Sequence, residues 1–407
     1  MRNQLGGIQT AILGATLLLG GCVTPLHTEE KSLCHQDANK PQSQQCHYYS
    51  NQTPYIRHQP YDAQLMVNNE KGHPSLQDAS LLTMQQVALA SGDRLNVEVL
   101  HGDDFSGQVE VNPDGYIYLP YLPAIKAKGL SLEQLKNAVS DTLISEQLMH
   151  AHAVRVSIVP LKWGAIEVRI SGAVYEPGIR LINKKSEIQM ADEHEQFSGD
   201  LASERSLAAA LRSSGGVRPD ADITRVIVSR NNQRFNVDLT GFLTGQSVPH
   251  FNLVAGDHIH VPQTAHFNDE LARPSQITIP GIRVFISNLT QPASSNSQSA
   301  VDTEATRFPY GTRLLSGAIG ANCVGGANTT NADRHVLLIT KNPITQQMDV
   351  VERSINNLIA NSYQSKVNPI LLPGDGLACY DSRITNIREI ARTFTDILLP
   401  ATLWNAL

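Results

Sequence analysis

The 407-residue sequence predicts an α+β protein: one compact mixed unit, followed by a second unit present twice. Three observations carry this reading. Strand-period alternation flanks one capped amphipathic helix between residues 95 and 158. A pattern of strand, helix, strand and Gly-Asp strand then occurs twice, about 115 residues apart. The dipeptide Gly-Asp precedes an extended segment three times, at Gly92-Asp93, Gly256-Asp257 and Gly374-Asp375.

The chain opens with one charge, Arg2, and an apolar run from Ile8 to Leu19. The run is too short to span a bilayer and long enough for a secretory signal. It ends in Leu19-Gly20-Gly21-Cys22, which resembles a bacterial lipobox. Small side chains there give a peptidase access to the backbone beside Cys22. The resemblance implies that Cys22 is acylated and becomes the first mature residue; the alternative is an ordinary signal peptide in which Cys22 is incidental. Val23 and Thr24 provide no aspartate, the usual inner-membrane retention signal, so the implied anchor lies in the outer membrane. Each buried methylene of such an anchor adds about 0.8 kcal/mol.

Net charge is −6. Removing the leader with its single Arg2 leaves −7 on 386 residues, enough for two to four domains. That mild acidity gives no footprint for nucleic acid. Four cysteines follow Cys22: Cys34, Cys46, Cys323 and Cys379. They allow three pairings, and an oxidising envelope favours disulfides. Cys34 with Cys46 is one expected pair, a loop that gains about 3 kcal/mol in the chain-entropy model. Cys323 with Cys379 is the second. Cys34-His35 and Cys46-His47 raise zinc as the competing reading.

Residues 23 to 80 are polar and rich in Gln, Asn and His, which reads as a tethering extension with structure beginning near Leu81. Leu95, Val97 and Val99 alternate as a half-buried strand. "GQVEVNPDGYIYLP" reads as a hairpin turning at Asn112-Pro113-Asp114-Gly115, so Asp114 and Gly115 are assigned to turn chemistry. Ser131 with Glu133 and Gln134 opens a helix whose face is Leu132, Leu135, Val139 and Leu143. Val154, Val156 and Ile158 form the closing strand.

"AIEVRISGAVYEP" (165 to 177) has the counterpart "GIRVFISNLTQP" (281 to 292), and "SLAAALRSSGGV" has "RLLSGAIGANCVGG". "ITRVIVSRN" matches "RHVLLITKN", and "NLVAGDHIHV" matches "PILLPGDGLAC". Two such copies argue for tandem β-grasp-like domains. The repeat also bears on Asp257, His258 and His260, which by residue type suit a metal-dependent hydrolase. The positions of His258 and His260 hold Arg94 and Asn96 in one Gly-Asp segment, and Gly376 and Ala378 in another. A shared turn explains the dipeptide: glycine takes the strained dihedral and the carboxylate caps backbone N–H groups. No metal or cofactor is expected. With no GxxxxGK, GxSxG or HExxH motif, neither is an enzyme.

"SGDRLNVEV", "VNPDGYIYLP", "KGLSLEQL" and the Gly-Asp repeats resemble the outer-membrane polysaccharide export proteins of the Wza type, from about Val87 to the C-terminus. The sequence departs from that pattern at Ser91, at Pro123-Ala124 and at Asn288, which stands where the first copy has Gly172. The resemblance implies a signal peptide (1–21), a lipidated extension (22–84), a polysaccharide export domain (85–163), two soluble-ligand-binding β-grasp domains (164–272 and 273–382) and a C-terminal helix (383–407). It further implies ring-shaped homo-oligomers, often octamers. These enclose a periplasmic cavity and conduct a capsular or exopolysaccharide chain across the outer membrane. An inner-membrane polysaccharide co-polymerase is the implied partner.

The last 24 residues, "ITNIREIARTFTDILLPATLWNAL", are amphipathic on a helical wheel. Ile387, Ile390, Phe394, Ile397 and Leu398 fall within an arc of about 140°, as a lipid-facing side. Arg388, Arg392 and Asp396 lie opposite, as pore-lining candidates. A lone helix with these charges does not sit in lipid, where each costs at least about 2.5 kcal/mol. A ring of such helices meets outer-membrane lipid on one side and water on the other. The alternative function is a periplasmic export adaptor in which this segment never crosses and a separate β-barrel is the pore.

Overall fold

The computed structural model describes residues 46–57, 76–184, 202–288, 307–321, 323 and 334–380. The leader, Cys22, Cys34 and residues 384–407 lie outside the described residues, as does the side chain of Cys46. The described chain mixes strands and helices in an α+β arrangement around three hydrophobic cores.

Two short strands come first, β1 (Cys46–Tyr49) and β2 (Leu76–Asp78). The first unit then holds β3 (Arg94–Val99), β4 (Gly107–Glu110), β5 (Tyr116–Ile117), β6 (Ile125–Lys126) and β7 (Val156–Lys162). In the antiparallel sheet β4-β3-β7, alternation along β3 turns Leu95, Val97 and Val99 inward. The helix Leu132–Ser145 lies between β6 and β7 and begins with a capping box. The Ser131 hydroxyl accepts from the Gln134 N–H, and the Gln134 side chain accepts from the Ser131 N–H. Leu135, Val139 and Leu143, four apart, are its fully buried stripe.

The expected hairpin at 107–120 is not a paired hairpin. Its turn closes, with the Asn112 N–H donating to the Tyr116 carbonyl, but β4 pairs with β3 whereas β5 pairs with β6. The reason lies at Gly115, whose φ is 89°. Its carbonyl accepts from the N–H groups of both Ala127 and Lys128, which pulls the second arm toward β6.

The first copy of the repeat holds β8 (Ile166–Gly172), β9 (Gly178–Ile182), β10 (Val226–Arg230), β11 (Gln233–Val237) and β12 (His258–Val261). The second holds β13 (Gly281–Arg283), β14 (Phe285–Asn288), β15 (Arg307–Pro309), β16 (His335–Lys341), β17 (Met348–Ser354) and β18 (Gly376–Tyr380). The sheet orders are β2-β11-β10-β12-β8-β9 and β1-β17-β16-β18-β14. Strand for strand they agree in neighbour and direction from the first strand of each order through β8 and β14. A helix packs in each at the same point, Leu207–Ser213 and Leu314–Gly320. Register refines the sequence alignment by one residue: Val228 faces Ile259 and Leu338 faces Leu377. Arg230 therefore corresponds to Thr340, not Lys341. A one-residue slip would turn every side chain of the strand to the other face.

The N-terminal extension is more structured than expected. Among the described residues, structure precedes Leu81, because the extension supplies one strand to each copy. β1 runs parallel to β17 and β2 parallel to β11, each at a sheet edge. The loop after β1 is held by polar contacts. Arg353, fully buried, donates to the carbonyls of Ser50 and Thr53 at 2.7 and 2.8 Å and to those of Val367, Lys366 and Glu352. Asn51 accepts from the Ser354 N–H and from the Asn357 side chain.

Candidate functional site

The three Gly-Asp dipeptides build one turn three times. Gly92, Gly256 and Gly374 sit at φ of 89°, 90° and 85°, a left-handed conformation open to glycine. The next residue points its carboxylate back onto the N–H three positions earlier: Asp93 on Ala90, Asp257 on Val254 and Asp375 on Leu372, at 2.8 to 2.9 Å. All three carboxylates are buried. What neutralises them differs. Arg205, a buried residue of the first copy, donates to Asp93 and to the Gly164 carbonyl and stacks on Trp163. Burial pushes the Asp93 carboxyl up, and Arg205 opposes it. Asp257 takes a bidentate bond from Arg230 at 2.9 and 2.7 Å. Asp375 has Thr340 where the first copy has Arg230. Burial pushes its carboxyl up to about 6, opposed first by Arg57 from the N-terminal extension. That guanidinium lies over the rings of Tyr55 and Phe267 and donates to the Ile370 carbonyl.

Asp114 is likewise held within its turn. It accepts from the Tyr116 N–H and, at 2.7 Å, from the Tyr118 hydroxyl, and these bonds hold its carboxyl below the ordinary value. The segment Tyr116–Pro120 then alternates, and Tyr121 follows. Ile117 and Leu119 are buried, while Tyr116, Tyr118 and Tyr121 are exposed. Tyr121, four-fifths exposed, is held at a φ of 61°. Flat aromatic faces presented to solvent suit the C–H faces of sugar rings. The sequence reading missed these tyrosines, although period-two alternation through Gly115–Leu119 was a signal for Tyr116 and Tyr118; Tyr121 breaks that alternation.

Asp257, His258 and His260 do not converge. Asp257 points inward to Arg230, whereas His258 and His260 lie on the outer face of the sheet and share Ser171. Among the described residues, no group of three or more His, Cys, Asp or Glu side chains is placed to hold a metal ion. Cys323 and Cys379 are joined in a disulfide that ties the end of the helix Leu314–Gly320 to β18. Among the described residues no helix is long and apolar enough to cross a membrane. Cys22, Ile387, Ile390, Phe394, Ile397 and Leu398, and Arg388, Arg392 and Asp396, lie outside the described residues.

Comparison with known proteins bears on the first unit. Residues 83–159 match the model of a family described as polysaccharide biosynthesis/export protein. Two proteins of Escherichia coli, each named polysialic acid transport protein KpsD, are 28% identical to this chain over 180 residues. That alignment covers 44% of this chain and 28% of each relative, so the chain matches less than a third of their length. Residues 83–159 contain the Asp93 turn, the Asp114 turn, the exposed tyrosines and the capped helix. Residues 83–159 are thus similar to the polysaccharide biosynthesis/export protein family.

Proposed function

We propose that this chain acts in polysaccharide export as a lipid-anchored, ring-forming conduit across the outer membrane, with no catalytic step of its own. The observation that carries the export role is the family match over residues 83–159. The lipobox-like Cys22 and the amphipathic segment 384–407 support the outer-membrane location. One feature of the fold supports the orientation. β1, which leads back to Cys22, and β18, which leads on to residue 384, belong to one sheet. Both membrane-directed ends thus leave from the second copy, and in this reading that copy faces the membrane while the first unit faces the periplasm.

A polymer must slide, so tight sites would impede it. Arg388, Arg392 and Asp396 would line water and offer exchangeable hydrogen bonds. The driving force would come from synthesis or from an inner-membrane co-polymerase. Imaging the lipidated chain extracted in detergent, with and without residues 384–407, tests the proposal. Rings that lose a membrane-facing crown on truncation are expected, and solitary chains in both samples would overturn it. Cysteines placed at 403–407 and labelled from outside intact cells distinguish a conduit from a periplasmic adaptor, whose tail would stay protected.

A further inference from the structure

The outer face of the first copy's sheet carries a cluster that the turns and the core do not use. Strand register lays out two rows. Arg169, His258, Ser229 and Arg234 lie side by side across β8, β12, β10 and β11. Ser171, His260, Ile227 and Asn236 form the next row. At about 4.8 Å per strand, the first row spans about 14 Å. The Ser171 hydroxyl lies 2.9 Å from His258 Nε2 and 3.0 Å from His260 Nδ1. It donates to one ring and accepts from the other. With both rings neutral, one imidazole therefore presents an N–H away from Ser171; protonating the other ring adds a second.

The charge around this pair decides what it can take. Among the described residues, neither Arg169 nor Arg234 is ion-paired with a carboxylate. Burial first, then Arg169, lowers the pKa of His258; burial first, then His258 and Arg234, lowers that of His260. A cation would meet this same repulsion, and an anion would relieve it. The other charged groups on the face stand at its margins: Glu167 two residues before Arg169 on β8, and Asp78 opposite Asn236 on β2. β9 contributes Ile179 and Leu181 beside Arg169 and Glu167, and β10 contributes no charge to this face.

The second copy supplies the comparison. The places of Arg169, His258 and Ser229 are held there by Phe285, Gly376 and Ile339, and that of His260 by Ala378. The same strand order forms without the basic groups, so the fold does not require them.

We propose that Ser171, His258 and His260, flanked by Arg169 and Arg234, form a binding site for the carboxylates of an acidic glycan. That the ligand is a glycan rests on the export role; that it is anionic rests on this face alone. The test uses the full lipidated chain in detergent, titrated with hexagalacturonate and, separately, with neutral maltohexaose. Calorimetry gives the affinity and imidazole NMR gives the place. Hexagalacturonate is expected to bind, to shift the His258 and His260 resonances and to raise their pKa values. Affinity should then rise as pH falls from about 7.5 to 5.5, because bound anion favours protonated imidazole. Arg169→Gln with Arg234→Gln should weaken binding at least about tenfold with an unchanged melting temperature, since both residues sit on the solvent face. Equal binding of the neutral sugar, unmoved histidine resonances, or a double variant that binds like the parent would overturn the site. The export role is judged separately, by surface polymer in cells lacking the protein.

Discussion

At the scale of single residues, the same buried aspartate is solved in three ways. A carboxylate taken from water costs several kcal/mol unless something pairs with it. Arg230 does this for Asp257 within one sheet, whereas Asp375 has lost the equivalent arginine to Thr340 and titrates at about 6. The folded chain thus keeps a proton on Asp375 that the unfolded chain has already released. Stability from that protonated group is present below the ordinary carboxylate range and is lost as pH rises through about 6, a change of about 3 kcal/mol. Asp375→Asn keeps an oxygen for the Leu372 N–H and cannot ionise. Denaturant unfolding at pH 4.5 and 7.5 should show a smaller fall for Asp375→Asn than for the parent. Asp257→Asn, which leaves Arg230 without its carboxylate, should instead lose about 3 kcal/mol or more at neutral pH. The dipeptide was legible in the sequence as a turn. The partners were not, because Arg205 and Arg230 reach their aspartates, and the charge of Arg57 acts on Asp375, from other parts of the chain.

At the scale of elements, what could be read locally was read. Ser131 and Gln134 announce their helix, and the period-two runs of β3, β8 and β10 announce their buried faces. β1 and β2 escaped because strands of four and three residues carry too little pattern and gain their ladders from partners far along the chain. The paired hairpin at 107–120 failed for a related reason. The turn was chosen locally, but β3 and β6 competed successfully for its arms. The attachment of the loop after β1 has a local test. Asn51→Ala removes the acceptor of the Ser354 N–H and one contact of Asn357. It should cost about 1 to 3 kcal/mol, since a buried donor is left unmet. Hydrogen exchange should quicken in Met348–Ser354 while the core of the first copy, around Val228 and Phe235, is unchanged.

At the scale of the molecule, the three cores are joined by charged side chains as well as by chain. Arg205 belongs to the first copy, yet it neutralises Asp93 in the first unit and covers Trp163. Arg205→Met leaves Asp93 buried with no counter-charge, which should remove about 3 to 5 kcal/mol. Calorimetry should then resolve the first unit melting below the rest, where the parent melts the two together. The repeat itself was visible in sequence as matching strings, but which residues correspond, and hence which face Arg230 or Thr340 takes, needed the strand register.

The edge strand β1 has a consequence for how the protein is made. Synthesis starts at the N-terminus, so the segment Cys46–Tyr49 appears early and its neighbour β17 some 300 residues later, with Ser50 and Arg353 separated by 303 positions. Until that late strand arrives, the early one has no ladder to join, and such distant closure is slow. A product cut short before Met348 would leave the early strand unmatched, an invitation to proteases and to stray pairing. The fold thereby carries a check on its own synthesis: only a molecule made through Ser354 can seat the first of the described strands.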